Sequence, residues 1–205
     1  MGSGDDGAVK RIWFIRHAES EAQAGLSEDY VNSPLSERGR EQAWALAGPL
    51  SGATFDCIVV SPLARAWQTF ELSRARARRA VFDSRAAEHF TDPSHYRAIL
   101  PVETPPIAEP DPHDAWLRDP RQRMTDLLDD LLARPERSIV VFAHWGLFNH
   151  LLPMYLGMDC YAGAARAFMD NTGVSLLEVG EEGRRTVRYW NRRAREEDFA
   201  APEDG

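Results

Sequence analysis

Ile12-Trp13-Phe14-Ile15-Arg16-His17 is an unbroken apolar run that ends on two basic residues. Two further runs share this form. Cys57-Ile58-Val59-Val60 gives way to Ser61-Pro62, and Ile139-Val140-Val141-Phe142-Ala143 gives way to His144. Runs that are apolar at every position, rather than at every second one, predict strands covered on both faces, as in a parallel sheet. Between them the apolar spacing changes to i, i+3, i+4, i+7. Ala43, Leu46, Ala47 and Leu50 keep it, as do Leu63, Ala66, Trp67 and Phe70, and again Met124, Leu127, Leu128 and Leu131. Ser61 and Pro62 read as the cap and first residue of the second of these helices. Val174 to Val179 and Thr186 to Trp190, joined through Gly180 and Gly183, read as a terminal strand pair. Strands alternating with helices predict an α/β fold with a mostly parallel central sheet.

The bulk properties bound what such a fold could do. A chain of 205 residues suits one domain, spanning 1–205. Its 43% apolar and 27% charged residues are the balance of an ordinary globular protein. A net charge of −8 repels nucleic acid and anionic membranes, so neither is an expected partner, and a small anion would need a local basic pocket. Oligomeric state is not readable. Cys57 and Cys160 give neither a disulfide framework nor a metal spacing, and Cys57 reads as a small buried hydrophobe. The acidic start lacks a signal-peptide core, and Asp6 breaks the myristoylation pattern. No stretch is long and apolar enough to span a bilayer, so a cytoplasmic location is expected.

Residues 92–120 stand apart. They hold Pro93, Pro101, Pro105, Pro106, Pro110, Pro112 and Pro120, seven of the thirteen prolines, which excludes a regular helix or a central strand. The segment is either a lid-like insertion or a surface excursion. Residues 1–10 and the charged tail after about Trp190 read as loose ends.

The chemistry sits where the apolar runs stop. Ligands of open α/β sheets bind beyond the carboxyl ends of the strands. Arg16, His17 and His144 lie at such ends, and Arg65 follows the second run within Ser61-Pro62-Leu63-Ala64-Arg65. Taken singly, Arg16 could be a strand-end charge and either histidine a hydrogen-bonded structural residue. Gathered at one sheet edge, two guanidinium forks and two imidazoles make a site for a phosphate-like anion. His95, His113 and His150 form no ligand spacing with one another or with the cysteines, so no metal is read.

These segments resemble the motifs of the histidine phosphatase superfamily, also called phosphoglycerate mutase-like. Arg16-His17-Ala18-Glu19-Ser20 resembles its Arg-His-Gly-Glu-Thr signature, and Pro34-Leu35-Ser36-Glu37-Arg38-Gly39 its Leu-Thr-x-x-Gly segment. Ser61-Pro62-Leu63-Ala64-Arg65-Ala66-Trp67-Gln68-Thr69 is similar to its Ser-Pro-Leu-x-Arg-Ala-x-Gln-Thr block, and Phe142-Ala143-His144-Trp145-Gly146 to its second histidine motif. Asn171-Thr172-Gly173 resembles a late turn found in many members. The blocks occur in family order from about residue 11 to residue 179.

The resemblance implies a three-layer sandwich, with helices on both faces of the sheet, and a metal-independent phosphatase without a cofactor. His17 would be phosphorylated, while Arg16, Arg65 and His144 hold the non-bridging oxygens. A carboxylic acid would protonate the leaving alcohol. Glu88 matches the family's glutamate by position, ahead of Asp92, Glu103 and Glu109, whereas Glu19 matches a position that supports the loop. Two positions depart from the pattern. Ala18 replaces a glycine, which would introduce strain if a positive φ were needed there. Gln23 stands where many members have an asparagine that touches phosphate. Gln23, Ser20, Trp145, Tyr96 and Arg97 are the candidate substrate contacts, with Trp145 as either a substrate wall or core packing. The substrate expected is a small phosphomonoester. The alternatives are phosphoglycerate mutase-type phosphoryl transfer and a non-catalytic phosphate-binding member.

Overall fold

A computed structural model describes residues 9–88, 120–158 and 167–200. The three apolar runs are strands, as their composition predicts: β1 (Lys10–Arg16), β2 (Thr54–Val60) and, further along the chain, β4 (Ser138–Ala143). A more polar strand, β3 (Arg76–Phe82), follows β2, and β5 (Val174–Val179) and β6 (Arg185–Arg192) close the order. The helices are α1 (Glu37–Ala45), α2 (Ala47–Leu50), α3 (Ala64–Ser73), α4 (Pro120–Ala133) and α5 (Trp145–Tyr155).

The six strands form one sheet in the order β3-β2-β4-β1-β5-β6. β3, β2, β4 and β1 run parallel to one another. β5 pairs antiparallel with both β1 and β6. The strands that are continuously apolar are the interior parallel ones. On β1, Ile12 and Phe14 join the core under α4 and α5, whereas Trp13 and Ile15 join the opposite core under α2 and α3. Successive side chains of a strand point to opposite faces. Both faces are dry here, so the sequence shows no alternation, and the result is the expected three-layer α/β sandwich.

Three local readings change. α3 starts two residues later than Ser61 and Pro62 suggested: Leu63 is its cap and Ala64 its first residue. Ser61 does not cap the helix because its hydroxyl is engaged by His144, Oγ to Nε2 2.7 Å. The charged tail after Trp190 is anchored through residue 200 rather than frayed. Phe199, 4% exposed, packs on Trp13 and Phe55, and the Trp13 indole N–H donates to the Asp198 carbonyl at 2.9 Å. At the other end, Lys10 belongs to β1, and its ammonium donates to the Leu131, Leu132 and Arg134 carbonyls at the C-terminus of α4. A cation there satisfies carbonyls that have no helical partner.

Met124, Leu127, Leu128 and Leu131 of α4 are buried, as their spacing predicts. Pro120 opens that helix, a place where its missing N–H costs nothing. The rest of the Pro-rich segment, and with it the lid reading, lies outside the described residues, as does Cys160. Cys57 is buried and free. Among the described residues no helix is long and apolar enough to cross a membrane.

Candidate active site

Parallel pairing brings the carboxyl ends of β1, β2 and β4 to one edge of the sheet. His17 follows β1 and ties it to β4 by donating its backbone N–H to the Ala143 carbonyl at 2.9 Å. His144 follows β4 as the cap residue of α5, and its ring lies 5.1 Å, centroid to centroid, from that of His17. Arg65, in the first turn of α3, donates from Nε to His17 Nε2 at 3.3 Å and from a terminal nitrogen to the Val31 carbonyl at 2.8 Å. Arg16 donates to the Met169 carbonyl, and its Nε is buried without a partner among the described residues. The structure thus gathers His17, His144 and Arg65, with Arg16 close enough to act on both imidazoles.

The hydrogen bonds set the protonation of His17. Its Nδ1 lies 2.7 Å from the Ala18 carbonyl, which can only accept, so the proton sits on Nδ1 and the Nε2 lone pair faces Arg65. Burial pushes the His17 imidazolium well below the usual histidine range, and the neighbouring Arg65 and Arg16 charges push it further. His144 is lowered in the same way, first by burial and then by Arg65, His17, Arg123 and Arg16. Burial also pulls down the guanidinium values of Arg16 and Arg65. Arginine starts so high that both remain cations at neutral pH. The site therefore combines neutral imidazoles with fixed positive charge.

This has a consequence for stability. Unfolded histidines bind protons near pH 6.5, while His17 and His144 in the folded state do not. Stability from their neutral burial is fully present above about pH 6.5 and is lost as pH falls below it, by up to about 1.4 kcal/mol per histidine per pH unit. Urea unfolding between pH 8 and pH 5 is expected to show this decline, and to show less of it in His144→Gln. A flat profile would contradict the neutral pair.

Glu88 follows β3 and the short 3-10 turn Ser84–Ala86. Its carboxylate accepts the Leu147 N–H at 3.0 Å and the Gly146 N–H at 3.4 Å, in the first turn of α5. This is a favourable place for an anion. Gly146 permits the approach: a Cβ there would stand 2.5 Å from a Glu88 carboxylate oxygen. Arg123, fully buried on α4, donates to the Ala87 carbonyl at 2.9 Å and to the Glu88 carbonyl at 3.3 Å, which fixes the backbone behind the carboxylate.

The loop after His17 is braced by the motif residues around it. Ala18 is buried at negative φ, so replacing glycine brings no strain; its N–H donates to Thr69 Oγ1 at 2.9 Å. Glu19 accepts the Ser36 hydroxyl at 2.8 Å and pairs with Arg38 at 3.5 Å, a supporting role. Gly39 packs so closely that a Cβ would overlap the Glu19 carbonyl oxygen. The Ser20 hydroxyl is engaged inside the loop with Gln23. The Gln23 amide oxygen accepts from the Ser20 N–H at 3.1 Å and from the Asn171 amide at 3.2 Å, and Asn171 also donates to the His17 carbonyl at 2.9 Å. Trp145 is half-buried, its indole N–H donating to the Ala167 carbonyl at 2.8 Å and its ring 6.5 Å from Phe168. Tyr96, Arg97, His95 and His113 lie outside the described residues.

Sequence reading missed Arg123, Asn171 and Ser61 as parts of the site. Arg123 carried a usable signal. It lies four residues before Leu127 and eight before Leu131, a charge on the apolar stripe of α4.

Comparison with known proteins agrees with this geometry. The model of the histidine phosphatase superfamily (branch 1) matches residues 12–192. Phosphoserine phosphatase 1 of Hydrogenobacter thermophilus is 32% identical over 200 residues, covering 88% of this chain and 92% of the relative. The adenosylcobalamin/alpha-ribazole phosphatase of Escherichia coli is 27% identical over 205 residues, covering 90% and 97%. Among solved structures, that of mycobacterial glucosyl-3-phosphoglycerate phosphatase with VO3 has a TM-score of 0.63 at 24% identity, covering 90% of this chain and 100% of the other, which shows the shared fold.

Proposed function

The chain belongs to the histidine phosphatase superfamily, a family of phosphatases, and from that premise we propose that it hydrolyses a small phosphomonoester through a phosphohistidine at His17, without a metal. One observation carries the reading. Around the buried imidazole of His17, Arg16 Nε and His144 Nδ1 are both buried without a partner among the described residues. Buried polar groups left unpaired are costly, so each such orphan asks for an explanation. A tetrahedral anion seated between the arginines and histidines supplies the missing oxygens.

In the proposed reaction the Nε2 lone pair of His17 attacks phosphorus and the P–O bond to the alcohol breaks. Arg16, Arg65 and His144 hold the three non-bridging oxygens as charge spreads over them. Arg65 turns from His17 to the phosphoryl group as the substrate enters. The Glu88 carboxyl passes a proton to the leaving oxygen. The resulting carboxylate then takes a proton from water as the water attacks the phosphohistidine, and inorganic phosphate leaves. Fixed cations perform the charge stabilisation that a metal supplies in other phosphatases.

The relatives named above act on phosphoserine, alpha-ribazole phosphate and glucosyl-3-phosphoglycerate, all small phosphorylated molecules. We extend that class to this chain, with Trp145 and Gln23 among the walls that choose the substrate body. A panel of phosphomonoesters, assayed with a strong chelator present, tests both points. Release of phosphate from small monoesters, undiminished by the chelator, is expected. Efficient hydrolysis of phosphopeptides in preference to them would overturn the substrate class, and activity regained only on adding zinc or magnesium would overturn the metal-free chemistry.

A further inference from the structure

Ser61 has a second task that its place in the Ser-Pro-Leu turn conceals. It is fully buried, and its Oγ has two partners among the described residues. The Leu63 N–H approaches at 3.3 Å and His144 Nε2 at 2.7 Å. The backbone N–H can only donate, so the hydroxyl oxygen accepts from it. Among the described residues the hydroxyl hydrogen then has one acceptor in reach, the Nε2 lone pair of His144. A neutral imidazole that accepts at Nε2 carries its proton on Nδ1. This is the nitrogen left buried without a partner among the described residues, on a ring that lies beside that of His17.

We infer that Ser61 is a positioning residue: by donating its hydroxyl proton to His144 Nε2, it fixes His144 as the Nδ1–H tautomer and presents that N–H to a phosphoryl oxygen. The opposite tautomer would present a lone pair to an anionic oxygen, which repels it. The hydroxyl oxygen has a second lone pair that could accept from an Nε2–H, but its own hydrogen would then be buried with no acceptor among the described residues. Burial and the surrounding arginines keep His144 neutral, so the choice of tautomer matters. Ser61 never touches the substrate and acts only through the ring.

The kinetic part of this inference rests on the phosphatase reading; the proton assignment does not. Long-range 1H–15N spectra of the whole chain, with His144 assigned through its backbone, read the tautomer directly. The wild type is expected to show a pyrrole-type Nδ1 and a pyridine-type Nε2 at His144, and orthovanadate is expected to shift the Nδ1 proton. Ser61→Ala should mix the tautomers and lower kcat toward an aryl phosphate by about 10- to 100-fold with a smaller change in KM. That is part of the 10²- to 10³-fold lost when a whole donor is removed. Ser61→Thr keeps the hydroxyl and should restore both readouts. A wild-type spectrum with the proton on His144 Nε2 overturns the inference, whether or not Ser61→Ala folds. So does Ser61→Ala with unchanged tautomer and kcat. A wild type that shows the Nδ1–H tautomer but releases no phosphate would remove the phosphatase reading and leave the tautomer lock in place.

Discussion

Replacing His17 with alanine is expected to lower kcat/KM toward phosphomonoesters by on the order of 10⁴-fold or more, because it removes the proposed nucleophile and not one of several helpers. The imidazole is the buried group whose Nε2 lone pair faces Arg65, and its Nδ1 proton is tied to the Ala18 carbonyl. No other described side chain in the site repeats that arrangement. His144 offers Nε2 to Ser61 rather than to the pocket. The fold should survive the change, since β1 and β4 are held by their own ladder and by the His17 backbone N–H. His17→Ala should therefore unfold in urea at a midpoint near that of the wild type while turning over nothing measurable. A folded His17→Ala protein that retained a tenth of wild-type activity would contradict the assignment.

Arg65→Ala is expected to cost 10²- to 10³-fold or somewhat more in kcat/KM, the usual loss for a donor aimed at developing charge in a dry site. Arg65 is 5% exposed, contacts the reactive nitrogen of His17 through Nε and holds the Val31 carbonyl through a terminal nitrogen. Its loss removes a cation, the proposed donor to the phosphoryl oxygens and a loop anchor together. Arg65→Lys separates these effects. It restores charge but not the planar fork, so it should recover only part of the loss. Steady-state kinetics with an aryl phosphate distinguish the cases. Equal activity of the lysine variant and the wild type would reduce Arg65 to a point charge, and a loss below threefold in Arg65→Ala would remove it from the machinery.

The parts legible in the sequence are those carried by local pattern. Ile12–Ile15, Cys57–Val60 and Ile139–Ala143 are apolar at every position because helices cover both faces of the sheet, and that pattern needs no long-range information. The positions of Arg16, His17, Arg65 and His144 followed from where these runs stop. What stayed hidden depends on contacts between distant segments. Ser61 looks like a helix cap in its own neighbourhood; His144, 83 residues further on, takes its hydroxyl instead. Gly146 has no local reason to be glycine, and the reason is the Glu88 carboxylate 58 residues before it. Phe199 lies in a charged stretch that reads as frayed, yet one aromatic ring against Trp13 and Phe55 is enough to dock it.

The central claim, a phosphoryl group carried on His17, is tested most directly by trapping it in Glu88→Gln. An aryl phosphate has a good leaving group that needs little help from an acid, whereas hydrolysis of the phosphohistidine still needs a base to activate water. The intermediate should therefore accumulate in this variant. After a brief reaction with radiolabelled aryl phosphate and an alkaline quench, the account predicts label on the peptide that contains His17, stable in base and lost in acid. Label on any other residue, or release of the aryl group at the wild-type rate with no labelled His17 and immediate release of phosphate, would contradict it.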